Sequence, residues 1–155
     1  MTERICELMS QIKTYHSDLA DRHALLSQSR VQNERVSQMA EYLSDWERKR
    51  ERNLDEFIHH SDYQNKVETW LKEKPEIDRS RMDYEVEKQL PDISHTEEGL
   101  IGIVSAQHNF IADTYTQLEE ISPTPEMAEF FGDLAENERQ ALRTTVRSLH
   151  EFSSV

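Results

Sequence analysis

Four stretches of this chain carry apolar residues at alternating spacings of three and four, the period at which one face of an α-helix recurs. The first stripe is Ile5, Met9, Ile12, His16, Leu19, His23 and Leu26, and the second is Val36, Met39, Leu43, Glu47, Arg50, Leu54 and Phe57. The third runs Ile101, Val104, His108, Ile111, Tyr115 and Leu118, and the fourth Met127, Phe131, Leu134, Glu138, Ala141, Thr145 and Leu149. No stretch alternates convincingly with period two, so the pattern predicts an all-α fold of four long helices. Each stripe also holds polar residues where a buried seam wants apolar ones. A charge in such a seam is costly unless it is paired, hydrogen-bonded or bound to metal. The chemistry of the protein is therefore to be sought at His16, Glu47, Arg50, His108 and Glu138.

Start and stop signals set the organisation. A first helix is expected over about 2–29 and a second over about 33–59, with Asn33 as its N-cap; the turn between them is short, which makes them antiparallel. Residues 61–93 form the longest connection. Within it Val67, Trp70 and Leu71 suggest a short amphipathic helix, and Pro75 with Glu76 fits the first turn of another, through Tyr84 to about Gln89. The third helix should begin near Ser94 or Thr96, where Thr96 would cap it and Glu97 and Glu98 complement its dipole, and should run to about Ile121. Ser122-Pro123-Thr124-Pro125 forces a turn, and Thr124 would cap a fourth helix entered at Pro125 and ending near Phe152. The expectation is one domain, 1–155: a helical hairpin over about 2–60, a crossover over 61–93 and a second hairpin over about 94–152.

Composition narrows the function. A chain of 155 residues suits a single core, and 3 Gly, 4 Pro and 32% charged residues are the composition of a helical protein. A net charge of -13 argues against nucleic acid or an anionic membrane as partner, since either needs a basic face. With no membrane-length apolar run and no signal-peptide pattern in MTERICELMSQ, a cytoplasmic location is expected. The single cysteine, Cys6, reads as a structural thiol. The basic run from Trp46 to Arg52 is splayed around a helix, leaving only Glu47 and Arg50 inward, and His59 and His60 suit the dipole at a helix C-terminus. Tyr63, Trp70 and Tyr84 in the crossover are a modest motive for homodimerisation. There is no Gly-rich phosphate loop, no Cys-x-x-Cys and no Ser-His-Asp arrangement.

The halves read as a diverged repeat. His16, Ala20, Asp21, His23 and Leu26 align at one offset with His108, Ala112, Asp113, Tyr115 and Leu118, and Leu43 and Glu47 align with Leu134 and Glu138 after a one-residue slip. The segments HNFIADTYTQL and PTPEMAEFFGDLAENERQAL, and more loosely YHSDLADRHALL and NERVSQMAEYLSDWERKR, resemble the rubrerythrin branch of the ferritin-like superfamily. That resemblance implies an antiparallel four-helix bundle made of two hairpins. It also implies a di-iron site built from one glutamate on each of two helices and a Glu-x-x-His pair on each of the other two.

Carried over by position, the single glutamates are His16 and His108, the glutamates of the pairs survive as Glu47 and Glu138, and the paired histidines are replaced by Arg50 and Ala141. A carboxylate-bridged di-iron site is not expected from such a set. Two readings remain. In the first, Arg50 bridges Glu47 and Glu138, His16 and His108 complete the hydrogen bonds, no cofactor is needed, and the protein is a non-catalytic interaction or scaffold protein. In the second, His16, Glu47, His108 and Glu138 converge on one iron, zinc or manganese ion, giving a metal-binding protein or mononuclear oxidoreductase. His23 and Tyr115, at equivalent places one helical layer away, are expected to pack in the core with a satisfied hydrogen bond, the alternative being that they orient the site residues.

Overall fold

The computed structural model describes residues 3–28, 34–59, 70–71 and 96–153. Among them are four helices: α1, Ile5–Ser27; α2, Glu34–His59; α3, Glu97–Glu120; and α4, Pro125–Ser153. The fold is all-α. The caps read from the sequence form on the second pair of helices. Thr96 accepts from the Gly99 amide at 2.9 Å and starts α3, and Thr124 accepts from the Met127 amide at 3.2 Å and starts α4. Each satisfies an amide that the first turn leaves without an intrahelical acceptor. The expected cap Asn33 lies outside the described residues, as do His60, Tyr63, Val67, Pro75 and Tyr84.

Two expectations are corrected. The first helix begins at Ile5 instead of near residue 2, because Glu3–Arg4 is a short extended segment, β1, paired antiparallel with Trp70–Leu71, β2. Trp70 and Leu71 accordingly sit in a two-residue strand and not in a short amphipathic helix. Backbone hydrogen bonds to a segment about seventy residues away outweigh the local helical preference at both places.

Polar contacts define how the helices run. Lys13 on α1 reaches Asp55 on α2 at 2.7 Å, Arg48 reaches Ser17 at 3.2 Å, and the Ser44 hydroxyl donates to the Ala20 carbonyl at 2.9 Å, so rising numbers in one helix meet falling numbers in the other. On the second pair, Arg139 of α4 donates to Thr116 of α3 at 2.9 Å and lies 3.6 Å from Asp113. Arg48 likewise pairs with Asp21. The two arginine–aspartate pairs occupy matching places in the two halves, as a repeat would have them.

The core is divided. Leu8, Met9, Ile12 and Leu54 pack with Phe110, Ile111, Leu118, Met127 and Phe131 at one end, and Leu26, Val36, Met39 and Leu43 pack with Leu100, Val104, Leu142 and Leu149 at the other. Between these apolar clusters lie the buried polar residues His16, His23, Glu47, His108 and Glu138. The stripe positions from Met9 to Leu26, Val36 to Leu54 and Ile101 to Leu149 are buried except Arg50, Ile101, Leu134 and Ala141, which are half-buried. On α3 burial extends to a second stripe, Leu100, Ile103, Gln107, Phe110 and Thr114. The same three-and-four spacing is visible there in the sequence.

Candidate functional site

At the level of the polar layer each helix contributes one or two side chains. His16 comes from α1, Glu47 and Arg50 from α2, His108 from α3 and Glu138 from α4. They form an unbroken chain of hydrogen bonds. His16 Nδ1 donates to Glu47 Oε2 at 2.7 Å, and the other oxygen of Glu47 accepts from His108 Nε2. His108 Nδ1 donates to Glu138 Oε1 at 2.6 Å, and Glu138 Oε2 accepts from the Arg50 guanidinium, whose remaining terminal nitrogen donates to Asn137 at 3.2 Å. All four carboxylate oxygens of Glu47 and Glu138 thus have a protein donor.

The geometry assigns the charges. A histidine whose two ring nitrogens both face carboxylate oxygens must donate from both, which requires imidazolium. His16 satisfies Glu47 from Nδ1 alone. The His108 imidazolium and the Arg50 guanidinium thus stand as counter-charges to the two carboxylates, which buried ions require. Burial alone would push the His108 ring below its usual 6.5, but the charge of Glu47 and the bonds to Glu138 and Glu47 outweigh this and push it up to about 9. Burial likewise works to raise both carboxyls. His108 and His16 overcome it at Glu47, which is held well below the ordinary carboxylate range. At Glu138 the bond and charge of His108, with smaller help from His16 and Arg50, hold the carboxyl down at about 2. Trp46 adds an aromatic face, its ring centroid 4.5 Å from that of His108, where a cationic ring is favoured.

The sequence places these residues inside correctly, but their partners differ from expectation. Arg50 does not bridge the two glutamates; it engages Glu138 and Asn137, and the residue that bridges Glu47 and Glu138 is His108. One turn separates Glu47 from Arg50 on α2, and the guanidinium extends across to α4 while the imidazole of α3 fills the gap between the carboxylates. Of the expected four-residue metal set, His16, Glu47 and His108 offer ligand atoms within 4.8 Å of one another, and Glu138 does not belong to that group. His23 is fully buried, and desolvation drives its ring down to about 4, so it is neutral. Tyr115 is buried beside Glu138 and Arg50, and burial followed by the Glu138 charge pushes its phenol well above the usual range. His59 is exposed and caps its own helix end through the Asp55 carbonyl at 2.8 Å.

A cleft of about 540 Å³, walled by α2 and α4, reaches this layer. His16, Tyr115, Arg50 and Glu138 line it within, and Glu126, Glu129 and Asp133 line it where α4 meets solvent. The last three were not singled out in the sequence, where they read as an ordinary solvated helix face. No family model, no curated protein and no solved structure matches this chain. Among the described residues no helix is long and apolar enough to cross a membrane.

Proposed function

We propose that the protein is a ferritin-like bundle of two helical hairpins in which a protein-built charge network occupies the position of the ancestral metal centre, and that it acts as a non-catalytic scaffold or interaction protein. One observation carries this reading: every carboxylate oxygen of Glu47 and Glu138 accepts a hydrogen bond from a histidine or arginine of the chain. Such a set needs no ion to be satisfied, and two counter-cations already balance its charge. The donors do not fit a carboxylate-bridged di-iron centre. Among the described residues only two carboxylates are present in the layer, and the permanent Arg50 cation is bound to one of them.

A second reading is favoured by one specific observation, the mutual closeness of His16, Glu47 and His108. Three such donors would hold zinc, iron or manganese, and the ion would supply Lewis-acid or redox chemistry when bound. Elemental analysis of chain purified without chelator or affinity tag, followed by titration with each ion, separates the two. The network reading expects no stoichiometric metal in the natural chain, and a gain in metal affinity when Arg50→Ala frees a Glu138 oxygen. Stoichiometric metal that disappears in both Glu47→Ala and His108→Ala overturns it.

A further inference from the structure

Beyond Arg50 the seam between α2 and α4 opens into a second cleft, of about 390 Å³, towards the start of α2 and the end of α4. Its walls differ in kind from those of the larger cleft. Glu126, Glu129 and Asp133 line the larger one, whereas among the described residues no carboxylate lines the second, and its charged lining is Lys49 and Arg50 alone. In a chain where acidic side chains outnumber basic ones by 31 to 18, a cleft with only cations in its walls runs against the composition. The volume lies within the range of small-molecule sites.

The two cations are not equally free. Arg50 gives its terminal nitrogens to Glu138 and Asn137, and its Nε is buried without an acceptor among the described residues, so its charge is matched while donor capacity is left over. Lys49 makes no ion pair among the described residues, unlike its neighbour Arg48, which pairs with Asp21 and Glu51. The cleft therefore has one positive charge to match, which selects a monoanion, and a guanidinium in the same wall, which favours a carboxylate. Tyr42 and Trp46 select the body that carries it. Both are half-buried and packed against the apolar cluster of Leu43, Val104 and Leu142, and such an aromatic wall suits a flat ring. Gln140 and Thr144 on α4 complete the lining with neutral groups, which set no charge against an anion.

We propose that this second cleft binds an aromatic monocarboxylate, its ring against Trp46 and Tyr42 and its carboxylate between Lys49 and Arg50. The site goes beyond the charge-network reading and uses none of His16, Glu47 or His108, so it stands or falls apart from the question of metal. Trp46 reports on it from within, since its ring lines the cleft on one side and lies 4.5 Å from that of His108 on the other.

Calorimetric titration of the full chain near neutral pH tests it with three probes: 2-naphthoate, acetate and 2-naphthylmethylamine. The indole proton resonance of Trp46, identified by its loss in Trp46→Phe, locates the binding. 2-Naphthoate is expected to bind saturably, to shift that resonance, and to bind about tenfold or more tighter than acetate, which lacks the ring, or the amine, which reverses the charge. Lys49→Gln is expected to weaken it about fivefold with the melting temperature unchanged, since Lys49 is exposed. Arg52→Gln, exposed on α2 but outside this cleft, is expected to leave the affinity as it was. No saturable heat from 2-naphthoate at millimolar concentration overturns the proposal, and so does saturation that leaves the Trp46 resonance in place. Equal losses in the Lys49 and Arg52 variants overturn it as well, because the attraction would then be diffuse, and the amine binding ahead of 2-naphthoate would move the site to the acidic rim of the larger cleft.

Discussion

Replacing His108 by alanine removes the one side chain that touches both buried glutamates, and the size of the loss can be worked out in two ways. Removing one partner of a buried ion pair typically costs about 3–5 kcal/mol, because the remaining charge stays in the core unmatched. Independently, a ring moved from 6.5 to about 9 prefers its charged form in the folded protein by about 3 kcal/mol, at 1.36 kcal/mol for each pH unit. The two routes agree on a loss of about 3–5 kcal/mol, which for a domain of this size lowers the melting temperature by roughly 6–20 °C. Urea titration followed by far-UV circular dichroism, with the m-value checked for constancy, reads it directly. The informative control replaces the whole set, His16→Leu, Glu47→Leu, Arg50→Met, His108→Leu and Glu138→Leu. Apolar substitution of a complete buried network is often neutral or stabilising, so this variant should be at least as stable as the natural chain. A single variant that loses less than about 1 kcal/mol, or a fivefold variant that loses as much as the single one, would refute the assignment of His108 as a cation clamped between two carboxylates.

Stability should peak near pH 6.5. The raised His108 contributes fully below its ordinary 6.5, and that contribution fades as pH rises through about 9; Glu138, held at about 2, contributes above its ordinary 4.5 and fades as pH falls towards 2. His23, kept neutral in the fold down to about 4, adds a further loss as pH drops from 6.5 towards 4, because the unfolded chain takes up its proton first. Urea midpoints that stay flat from about pH 6.5 to 9 would contradict this. In a Trp70→Phe chain, Trp46 emission should rise as pH passes through about 9, when the imidazolium beside it is neutralised; a midpoint near the ordinary 6.5 would count against the clamp. A methyl group added at Gly102, exposed and within α3, meets no atom within 4 Å, so Gly102→Ala should stabilise the chain by about 0.8–1 kcal/mol, and a lower urea midpoint would show that the site is not open.

What the sequence conveyed depended on how local the determining interactions are. Helix period is set by residues three and four apart, so the stripes, and with them the burial of His16, Glu47, His108 and Glu138, were legible. So were the caps at Thr96 and Thr124, which act over three residues. The start of α1 was not, because Arg4 pairs across the chain with Trp70. Nor was the partner of Arg50: two carboxylates lie within reach of a long side chain, and helix placement and rotamer decide between them. The double contact of His108 depends on the orientation of a ring, which no spacing encodes. The cleft was invisible for a similar reason. Glu126, Glu129 and Asp133 read as an ordinary exposed face, and that they line one cleft with His16 and Tyr115 depends on how the helices pack.

The polar layer has one more consequence. In a bundle whose stripes repeat every seven residues, oily packing by itself would tolerate a helix slid along its axis by one repeat, about 10 Å, since each leucine or isoleucine would land where another had been. Such a slide would carry His108 away from Glu47 and Glu138 together and strand two anions in hydrocarbon. The layer therefore works as an index mark, telling four nearly periodic rods at which height to stop.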